Sequence, residues 1–206
     1  MSISIATLPE TEIRKRIHLV SEREPISPYP PDVLAQKLRY AAVLIPFAWL
    51  DEAWHILMIH RSANTSDPHS GQVSFPGGGV QPTDNGAEMT ALRETEEELA
   101  IRSSDVRLIG RLNDYLTITN YQVTPIIGTI PWPYPITPDK REVERAFTIP
   151  LAWLSDPDNY EERSRELPQP YDPVPVLHYK PYQGETLWGV SARIMIGLID
   201  VLQSTH

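Results

Sequence analysis

The chain of 206 residues contains no cysteine, so it can form neither a disulfide nor a thiolate metal site. Functions that need a cysteine nucleophile or a cysteine-bound zinc are therefore excluded. The chain also lacks an apolar run of about 18 residues, the length that a membrane helix requires. Its first residues, MSISIATLPETEIRKR, do not have the pattern of a signal peptide. We therefore expect a cytoplasmic protein without a membrane partner.

Positive charge is also scarce. The chain has 18 lysines and arginines against 27 aspartates and glutamates, which gives a formal net charge of −9 at pH 7. This balance argues against binding to duplex nucleic acid, which requires basic surface. It does not exclude an anionic small substrate, because a metal site supplies positive charge locally. The motifs GxSxG, GxxxxGK[ST] and GxGxxG are absent, so a serine-hydrolase elbow, a P-loop and a dinucleotide-binding turn have no support.

The most informative segment is residues 71–101, GQVSFPGGGVQPTDNGAEMTALRETEEELAI, a glycine turn followed by a predicted helix. Glu94, Glu97 and Glu98 stand at i, i+3 and i+4, so a helix places the three carboxylates on one face. A glutamate-rich helix is most often only a solvated surface. Here, however, the turn at Gly77–Gly79 can bring its backbone close to a ligand, and carboxylate oxygens suit Mg²⁺. The pattern therefore predicts a metal-dependent phosphate site.

The remaining side chains of the predicted helix, residues 86–100, give two expectations about its packing. Ala87 and Ala91 extend the acidic face with small side chains, so we expect open space above that face. Leu92 and Leu99 lie on the opposite side, and we expect them to face the core.

This segment resembles the signature of the Nudix hydrolases, Gx5Ex7REUxEExGU, in which U is a bulky aliphatic residue. The matching positions are Arg93, Glu94, Glu97, Glu98 and Ile101. Thr95 stands at a U position, Ala100 replaces the glycine, and Asn85 occupies the place of the first glutamate. The resemblance implies an α/β fold, an α/β/α sandwich around a mixed β-sheet, with Mg²⁺ or Mn²⁺ as cofactor.

A longer pattern, LLTxRSxxLRxxxGxVxFPGGxxDxxD, is typical of the coenzyme A pyrophosphatase branch of this family, and the chain resembles that branch in ordered blocks. The blocks are Leu57–Ser62, Gly71–Gly78 with Asp84, Glu142–Leu151 (similar to EVxxVFxVPL) and Trp188–Ala192 (similar to WGxTA). The Leu-Arg pair of the pattern is absent, and Gln81 replaces its first aspartate. The resemblance implies hydrolysis of coenzyme A or its thioesters to 3′,5′-ADP and 4′-phosphopantetheine. The alternatives are another nucleoside diphosphate derivative (ADP-ribose, a dinucleotide or a nucleoside triphosphate) and a non-catalytic nucleotide-binding module.

Side-chain chemistry and the resemblance together predict the site. The predicted metal ligands are Glu97 and Glu98, with Glu94 either joining them or holding a bound water, and a backbone carbonyl of Gly78 or Gly79. The predicted catalytic residues are Arg93, Glu94, Glu97, Glu98 and Glu142, of which Arg93 orients a helix glutamate. Glu142, or its neighbour Glu144, is a candidate base on a distant loop and is otherwise a solvated charge. The predicted substrate contacts are Arg61, Ser62, Phe75 and Gly77. Further candidates are Tyr115, Tyr121 and Trp132 for stacking on adenine and His69 for protonating a leaving group, although such residues more often pack or lie exposed.

Residues 1–40 are predicted to form an N-terminal extension that precedes a Nudix domain over residues 41–206. The extension contains an amphipathic helix over residues 9–20, a proline-rich link and a second helix from Asp32 to Leu38. The first helix is a candidate homodimer contact. Among the 21 prolines, those of PWPYPITP at 131–138 predict an irregular loop, which we expect to lie over the site. The expected partner is a nucleotide-type small molecule.

Within the predicted domain, periodicity places most of the strands. The predicted strands are Ala41–Phe47 and Trp54–His60, joined as a hairpin, then Val106–Thr117, Gln122–Ile130, Val176–Tyr179 and Thr186–Trp188. An apolar helix over Ser191–Leu202 is predicted to close the chain.

Overall fold

The structure is a computed structural model that describes residues 4–18, 24–34, 37–63 and 71–204. The strands are β1 (Arg39–Leu50), β2 (Ala53–Arg61), β3 (Val73–Ser74), β4 (Gly77–Gly79), β5 (Arg107–Arg111), β6 (Tyr115–Leu116), β7 (Tyr121–Ile130), β8 (Val143–Pro150), β9 (Tyr160–Arg165) and β10 (Val174–Tyr179). The helices are α1 (Glu10–His18), α2 (Ala87–Leu99), α3 (Leu151–Leu154) and α4 (Gly189–Gln203). No helix in these described ranges is long and apolar enough to cross a membrane. His69 lies outside the described residues.

A mixed sheet forms the centre of the fold, with the strand order β3-β2-β1-β7-β5. β1 runs antiparallel to β2 and parallel to β7, while β4 pairs with β1, β6 with β7 and β8 with β2. The turn between β1 and β2 consists of Asp51 and Glu52, with φ angles of 50° and 59°. Positive φ at both positions is typical of the two-residue turns that close hairpins. The predicted hairpin is therefore confirmed.

Helices cover both faces of this sheet. α2 packs on β1 and β4, where Ala91 is buried against Ala42 and Leu44. Because side chains alternate along a strand, Ile45 and Phe47 of β1 face the opposite way and belong to the main core with α1 and α4. The two helical layers and the sheet between them confirm the predicted α/β/α sandwich.

The N-terminal helix is part of this core. Ile13 and Ile17 of α1 are fully buried, and the Arg14 guanidinium donates to the carbonyl oxygen of Leu108 in β5 at 3.0 Å. The indole N–H of Trp54 donates to the carbonyl oxygen of Leu8 at 2.8 Å. The apolar face of α1 thus packs against the core of its own chain. The homodimer contact and the domain boundary at residue 40 stay predictions.

The second N-terminal helix, predicted from Asp32 to Leu38, is wrong. The structure has a 3-10 turn at Pro31–Val33, and Leu34 is already extended, with φ −82° and ψ 140°. A short helix gains most of its stability from tertiary packing of an apolar face. None of the residues in this turn is buried, so that stabilisation is missing.

Several strands differ from their predicted extent. The predicted strand Val106–Thr117 is two strands, β5 and β6, each paired with β7. The predicted strand Thr186–Trp188 makes only one isolated bridge, between Trp188 and His178. β8 and β9 were not predicted. β9 is mostly charged, and its partner β10 provides the pairing that local sequence does not indicate.

Ala100 ends α2 in the left-handed conformation, with φ 56° and ψ 26°, and its N–H donates to the carbonyl oxygen of Glu96 at 2.9 Å. This conformation costs an L-residue about 1–2 kcal/mol, a strain that glycine avoids. We therefore expect Ala100→Gly to raise the free energy of unfolding by about 1 kcal/mol in urea denaturation. Ala152→Gly, at a helical and exposed position of α3, should lower it by about 0.5–1 kcal/mol. Equal destabilisation by both changes would contradict the strain at Ala100.

Candidate active site

The three glycines of β4 differ in how closely other atoms approach them. β4 pairs with β1 in antiparallel register, Ala42 opposite Gly78. A Cβ atom on Gly78 would lie 2.5 Å from Cδ of Glu94, and one on Gly77 would lie 2.4 Å from the carbonyl oxygen of Ala42. Gly77 also has φ 152°, which L-residues rarely adopt. A Cβ atom on Gly79 would meet nothing within 4 Å. Glycine is therefore required at the first two positions and not at the third.

Glu98 is the most deeply buried carboxylate of the site, with 1% of its surface exposed. Its Oε2 accepts a hydrogen bond from the backbone N–H of Gly77 at 2.9 Å. Its Oε1 lies 3.7 Å from Nη1 of Arg61. Burial raises the pKa of Glu98 to about 8, because these two partners compensate only part of the lost hydration. Glu98 as a metal ligand stays a prediction.

Glu94 lies beside Glu98 on the same face of α2, in contact with Gly78. Its Oε1 accepts from Nη1 of Arg93 at 2.8 Å. Burial nevertheless raises the pKa of Glu94 above its ordinary value. The negative charge of Glu142 contributes to the raised pKa of both glutamates after the effect of burial, so Glu142 belongs to the same electrostatic site.

Arg93 is held by a network centred on Asp84. The guanidinium donates to both carboxylate oxygens of Asp84, at 3.0 and 2.9 Å, and to the carbonyl oxygen of Gly79 at 3.1 Å. Asp84 also accepts from the backbone N–H of Gln81 and from the hydroxyl of Thr90, both at 2.9 Å. The Arg93 bonds, followed by the Gln81 bond, hold the pKa of Asp84 well below its ordinary value. Asp84 was not among the predicted site residues, although it is the closing aspartate of the longer pattern.

The packing face of α2 differs from the expectation. Ala91 is fully buried against the sheet, so the open space predicted above the acidic face is absent at Ala91. The open space of this face lies further along the helix, beside Glu94 and Glu98. Thr95, one turn further, is fully buried, and its hydroxyl donates to the carbonyl oxygen of Ala91 at 2.7 Å. Leu92 is partly exposed and lies outside the core, whereas Leu99 is buried as predicted. The acidic face and the buried face overlap because small side chains let the helix approach the sheet.

Glu97 has a different environment from the other two glutamates. Its side chain is 56% exposed, and it accepts from Nη1 of Arg93 at 3.2 Å. In the part of the chain that the structure describes, no three histidine, aspartate or glutamate side chains are arranged to hold a metal ion as they stand. Glu94 and Glu98 still fit a divalent ion, because both are desolvated oxygen donors. Glu97 as a third ligand stays a prediction.

The backbone oxygen of Gly78 is directed away from these carboxylates. The backbone bonds Leu44 N–H to Pro76 O and Val80 N–H to Tyr40 O flank the pair of Ala42 and Gly78. Hydrogen-bonded pairs alternate along an antiparallel ladder, so the carbonyl of Gly78 is directed at β1. The backbone groups that face α2 belong instead to Gly77, which donates to Glu98, and Gly79, which accepts from Arg93.

A cavity of about 690 Å³ opens beside the carboxylates. One side is formed by the sheet, including Val43 and Phe75, and the other by β10 and the first turn of α4, including Leu177 and Trp188. The predicted site residues that line it are Arg61, Phe75, Gly77, Gly78, Glu94, Glu98 and Glu142. Its volume lies within the range of ordinary ligand sites, roughly 300–1,000 Å³.

Ser62, a predicted substrate contact, bonds instead to the segment that precedes β8. Its hydroxyl donates to the carbonyl oxygen of Lys140 at 3.0 Å, and its backbone N–H donates to the carbonyl oxygen of Glu142 at 2.9 Å. Ser62 therefore holds the loop that carries Glu142. It is not among the described residues that line the cavity, and its role as a substrate contact stays a prediction.

The proline-rich segment at 131–138 is irregular as predicted, but its expected position over the site is wrong. Trp132 packs with Leu99 and Ile101 in a separate apolar cluster, and the hydroxyl of Tyr134 donates to Asp105 at 2.7 Å. The segment thus covers the C-terminal end of α2, where apolar side chains offer more contact than the acidic face. Of the three candidate stacking residues, the two tyrosines line the cavity, and Trp132 does not.

Comparison with known proteins agrees with this geometry. The sequence profile of the NUDIX domain matches residues 38–169. The chain is 33% identical over 178 residues to the uncharacterized Nudix hydrolase NudL of Photorhabdus laumondii, an alignment that covers 85% of this chain and 91% of that protein. It is 46% identical over 114 residues to NudL of Escherichia coli K12, which covers 55% of this chain and 58% of that protein. A crystal structure of a MutT/nudix family protein from Enterococcus faecalis has the same fold, with a TM-score of 0.52 and 15% identity over 93% of this chain and 68% of that one.

Proposed function

This chain belongs to the Nudix family, and from that premise we propose that it is a divalent-metal-dependent pyrophosphohydrolase acting on coenzyme A or its thioesters. The products would be 3′,5′-ADP and 4′-phosphopantetheine or its acyl form. The proposal rests on the geometry of the cavity and on the sequence blocks that resemble the coenzyme A pyrophosphatase branch.

One observation carries the proposal: blocks that are scattered along the sequence line a single cavity. They are Arg61, Gln72–Phe75, Gly77–Gly79, Glu142 and Trp188–Ser191. The first lies at the end of β2, and the last runs into the first turn of α4, about 130 positions later in the sequence. If these blocks only stabilised the fold, they would not be expected to line the same cavity. Their convergence supports a common substrate for all the blocks.

The carboxylate end of the cavity supports hydrolysis of a phosphoanhydride. Glu94 and Glu98 would hold the divalent ion, and Arg93, clamped by Asp84, orients Glu94. When bound, Mg²⁺ or Mn²⁺ supplies Lewis-acid polarisation of a phosphoryl oxygen and lowers the pKa of a coordinated water. Arg61 lines the cavity beside Glu98 and can pair with a phosphate oxygen. Glu142, which is exposed at the rim, is the candidate base.

The remainder of the cavity supports a substrate with a long uncharged arm. Apolar side chains contribute much of its lining, together with the charged Arg165 and Arg193; the apolar ones include Val43, Val123, Leu177, Trp188 and Ile194. A pantetheine arm can lie along such a surface. A nucleoside triphosphate can cover this surface with its base alone, and it is therefore the less favoured substrate.

The test is a substrate panel with the purified protein and Mg²⁺ or Mn²⁺, with products identified by mass spectrometry. The panel contains coenzyme A, acetyl-coenzyme A, ADP-ribose, NADH, a diadenosine polyphosphate and the nucleoside triphosphates. We expect 4′-phosphopantetheine, or its acetylated form, as the dominant product. Faster cleavage of another substrate would keep the chemistry and overturn the assignment of coenzyme A. No turnover of any substrate with metal bound would favour a binding module.

A further inference from the structure

The wall of the cavity opposite the sheet belongs to a return of the chain over residues 174–188, which we call the wall hairpin. β10 leads to a tight turn in which Tyr182 and Glu185 exchange backbone hydrogen bonds. The chain then runs back beside β10, where the N–H of Tyr179 donates to the carbonyl oxygen of Leu187 at 2.8 Å. The base of the wall hairpin, with Leu177 and Trp188, lines the cavity. The residues of its tip, 180–186, are not among the described residues that line it.

Glu185 ties the tip of the wall hairpin to the central sheet. Its Oε2 lies 2.7 Å from Nδ1 of His60 in β2, and its Oε1 accepts from Nε of Arg145 in β8 at 2.8 Å. The carboxylate is 13% exposed, so solvent competes little for these bonds.

Glu185 contacts the edge of the sheet that is formed by β2 and β8, and the end of this edge also lines the cavity. The β2–β8 register shifts between His60 and Arg61, because Glu144 is an extra residue in β8. Such bulges redirect side chains and are frequent beside active sites. Arg61 follows the bulge and approaches Glu98, while the N–H of the next residue bonds to the carbonyl of Glu142. Arg61 is thus one residue from His60, and Glu142 is three residues from Arg145, the two contacts of Glu185.

A second anchor keeps the wall hairpin folded without Glu185. Trp153 of α3 packs against Tyr179 and Tyr182, with ring centroids 5.8 and 5.0 Å apart. The hydroxyl of Tyr179 donates to the carbonyl oxygen of Leu154 at 2.9 Å. The wall hairpin is thus held by the aromatic contacts to α3 and by the Glu185 contacts to β2 and β8.

We propose that Glu185 is a positioning residue that sets the width of the cavity and the placement of Arg61 by joining the wall hairpin to the bulged edge of β2 and β8. The effect expected on KM rests on the proposed function. The contacts of Glu185 with His60 and Arg145 do not, because they are present in the folded chain without substrate.

The test uses the full-length protein with Glu185→Ala and Glu185→Gln. The control is Glu161→Ala, which removes an exposed carboxylate that pairs with Arg163 on the neighbouring strand β9. Hydrogen–deuterium exchange is measured without substrate, and kcat and KM are measured with coenzyme A and Mg²⁺. Thermal unfolding of each variant gives the folded fraction at the assay temperature.

For Glu185→Ala we expect faster exchange in peptides that cover 58–63 and 182–188, and a rise in KM of about tenfold with a smaller change in kcat. This is less than the roughly 10²-fold cost of misplacing a catalytic group by 1 Å. Glu185→Gln keeps one acceptor oxygen and should recover part of the loss, and Glu161→Ala should match the wild type.

Unchanged exchange in Glu185→Ala would overturn the proposal whatever the substrate is, and so would unchanged KM in a wild-type enzyme that cleaves coenzyme A. A loss of activity that equals the loss of folded protein would also overturn it, because Glu185 would then be only structural. Absence of coenzyme A cleavage by the wild type would instead overturn the proposed function, and the exchange measurement would still decide the role of Glu185.

Discussion

Replacing Glu98 with glutamine is expected to abolish hydrolysis and, at the same time, to stabilise the metal-free protein at neutral and alkaline pH. Glu98 is the buried carboxylate of the site, and glutamine has nearly the same shape without the charge. The neutral amide oxygen can still accept from the N–H of Gly77. It is a poor ligand for a hard divalent ion in comparison with a carboxylate. The same burial that favours metal binding therefore opposes folding when the metal is absent.

The sign of the pH dependence follows from the raised pKa of Glu98, about 8 against an ordinary value of 4.5. Between these two values the folded protein keeps the proton and the unfolded chain releases it. The stability of the metal-free protein therefore falls as pH rises from about 4.5 to 8, by on the order of a few kcal/mol from this group. Glutamine removes this contribution. Added Mg²⁺ or Mn²⁺ should stabilise the wild type by binding the folded state, and should not stabilise the variant in the same way.

Glu97→Gln provides a matched comparison, because Glu97 is also a predicted ligand but is 56% exposed. Unfolding temperatures between pH 5 and 8, with EDTA or with Mg²⁺, should show a flatter pH dependence for Glu98→Gln alone. Loss of activity in both variants would support both residues as ligands. Full activity in Glu98→Gln would refute the metal assignment, and an unchanged pH dependence would refute the raised pKa as its physical basis.

Local sequence was sufficient for the parts of the site that depend on helical spacing. Glu94 and Glu98 are four residues apart, so any helix over this segment places them together, and Arg93 follows as the neighbour of Glu94. The same spacing does not tell which side of the helix is buried. Ala91 and Thr95 were ambiguous because small residues can border either open space or a closely packed strand. The outcome for Ala91 depends on its packing against Ala42, Leu44 and Ile126 of β1 and β7, which is a tertiary property.

Residues that act across long sequence distances were the ones that sequence reasoning missed. Asp84 bonds to Arg93, which is nine positions away in the sequence and beyond a turn. Glu185 bonds to His60, which is 125 positions away. Asp84 was marked only by its place at the end of the longer family pattern, and nothing in the sequence around Glu185 distinguishes it from a solvated surface charge. The proline-rich segment at 131–138 shows the reverse case, since its irregularity was local and predictable, while its docking on the apolar cluster beyond α2 depended on partners elsewhere.

The three glycines of β4 are expected to respond to alanine in three different ways. Gly77→Ala should destabilise the fold by roughly 1–3 kcal/mol or more, because the new Cβ would clash with the backbone of β1 at a φ of 152°. Gly78→Ala should leave the fold nearly as stable but lower kcat/KM by roughly 10²-fold, because it displaces the carboxylate of Glu94. Gly79→Ala should change neither quantity by much, since no atom lies within 4 Å of its Cβ position.

Denaturation midpoints and kcat/KM, measured on all three variants, separate the fold from the site. The difference between Gly77 and Gly78 arises from what each Cβ would meet. Backbone cannot retreat without disturbing the β1–β4 pairing, whereas the end of a glutamate side chain can rotate away. Rotation of Glu94 would break its bond to Arg93 and remove a predicted metal ligand. Wild-type activity in Gly78→Ala would show that the reaction does not need Glu94 in its position against β4. Glu97 would then replace Glu94 as the predicted second metal ligand beside Glu98.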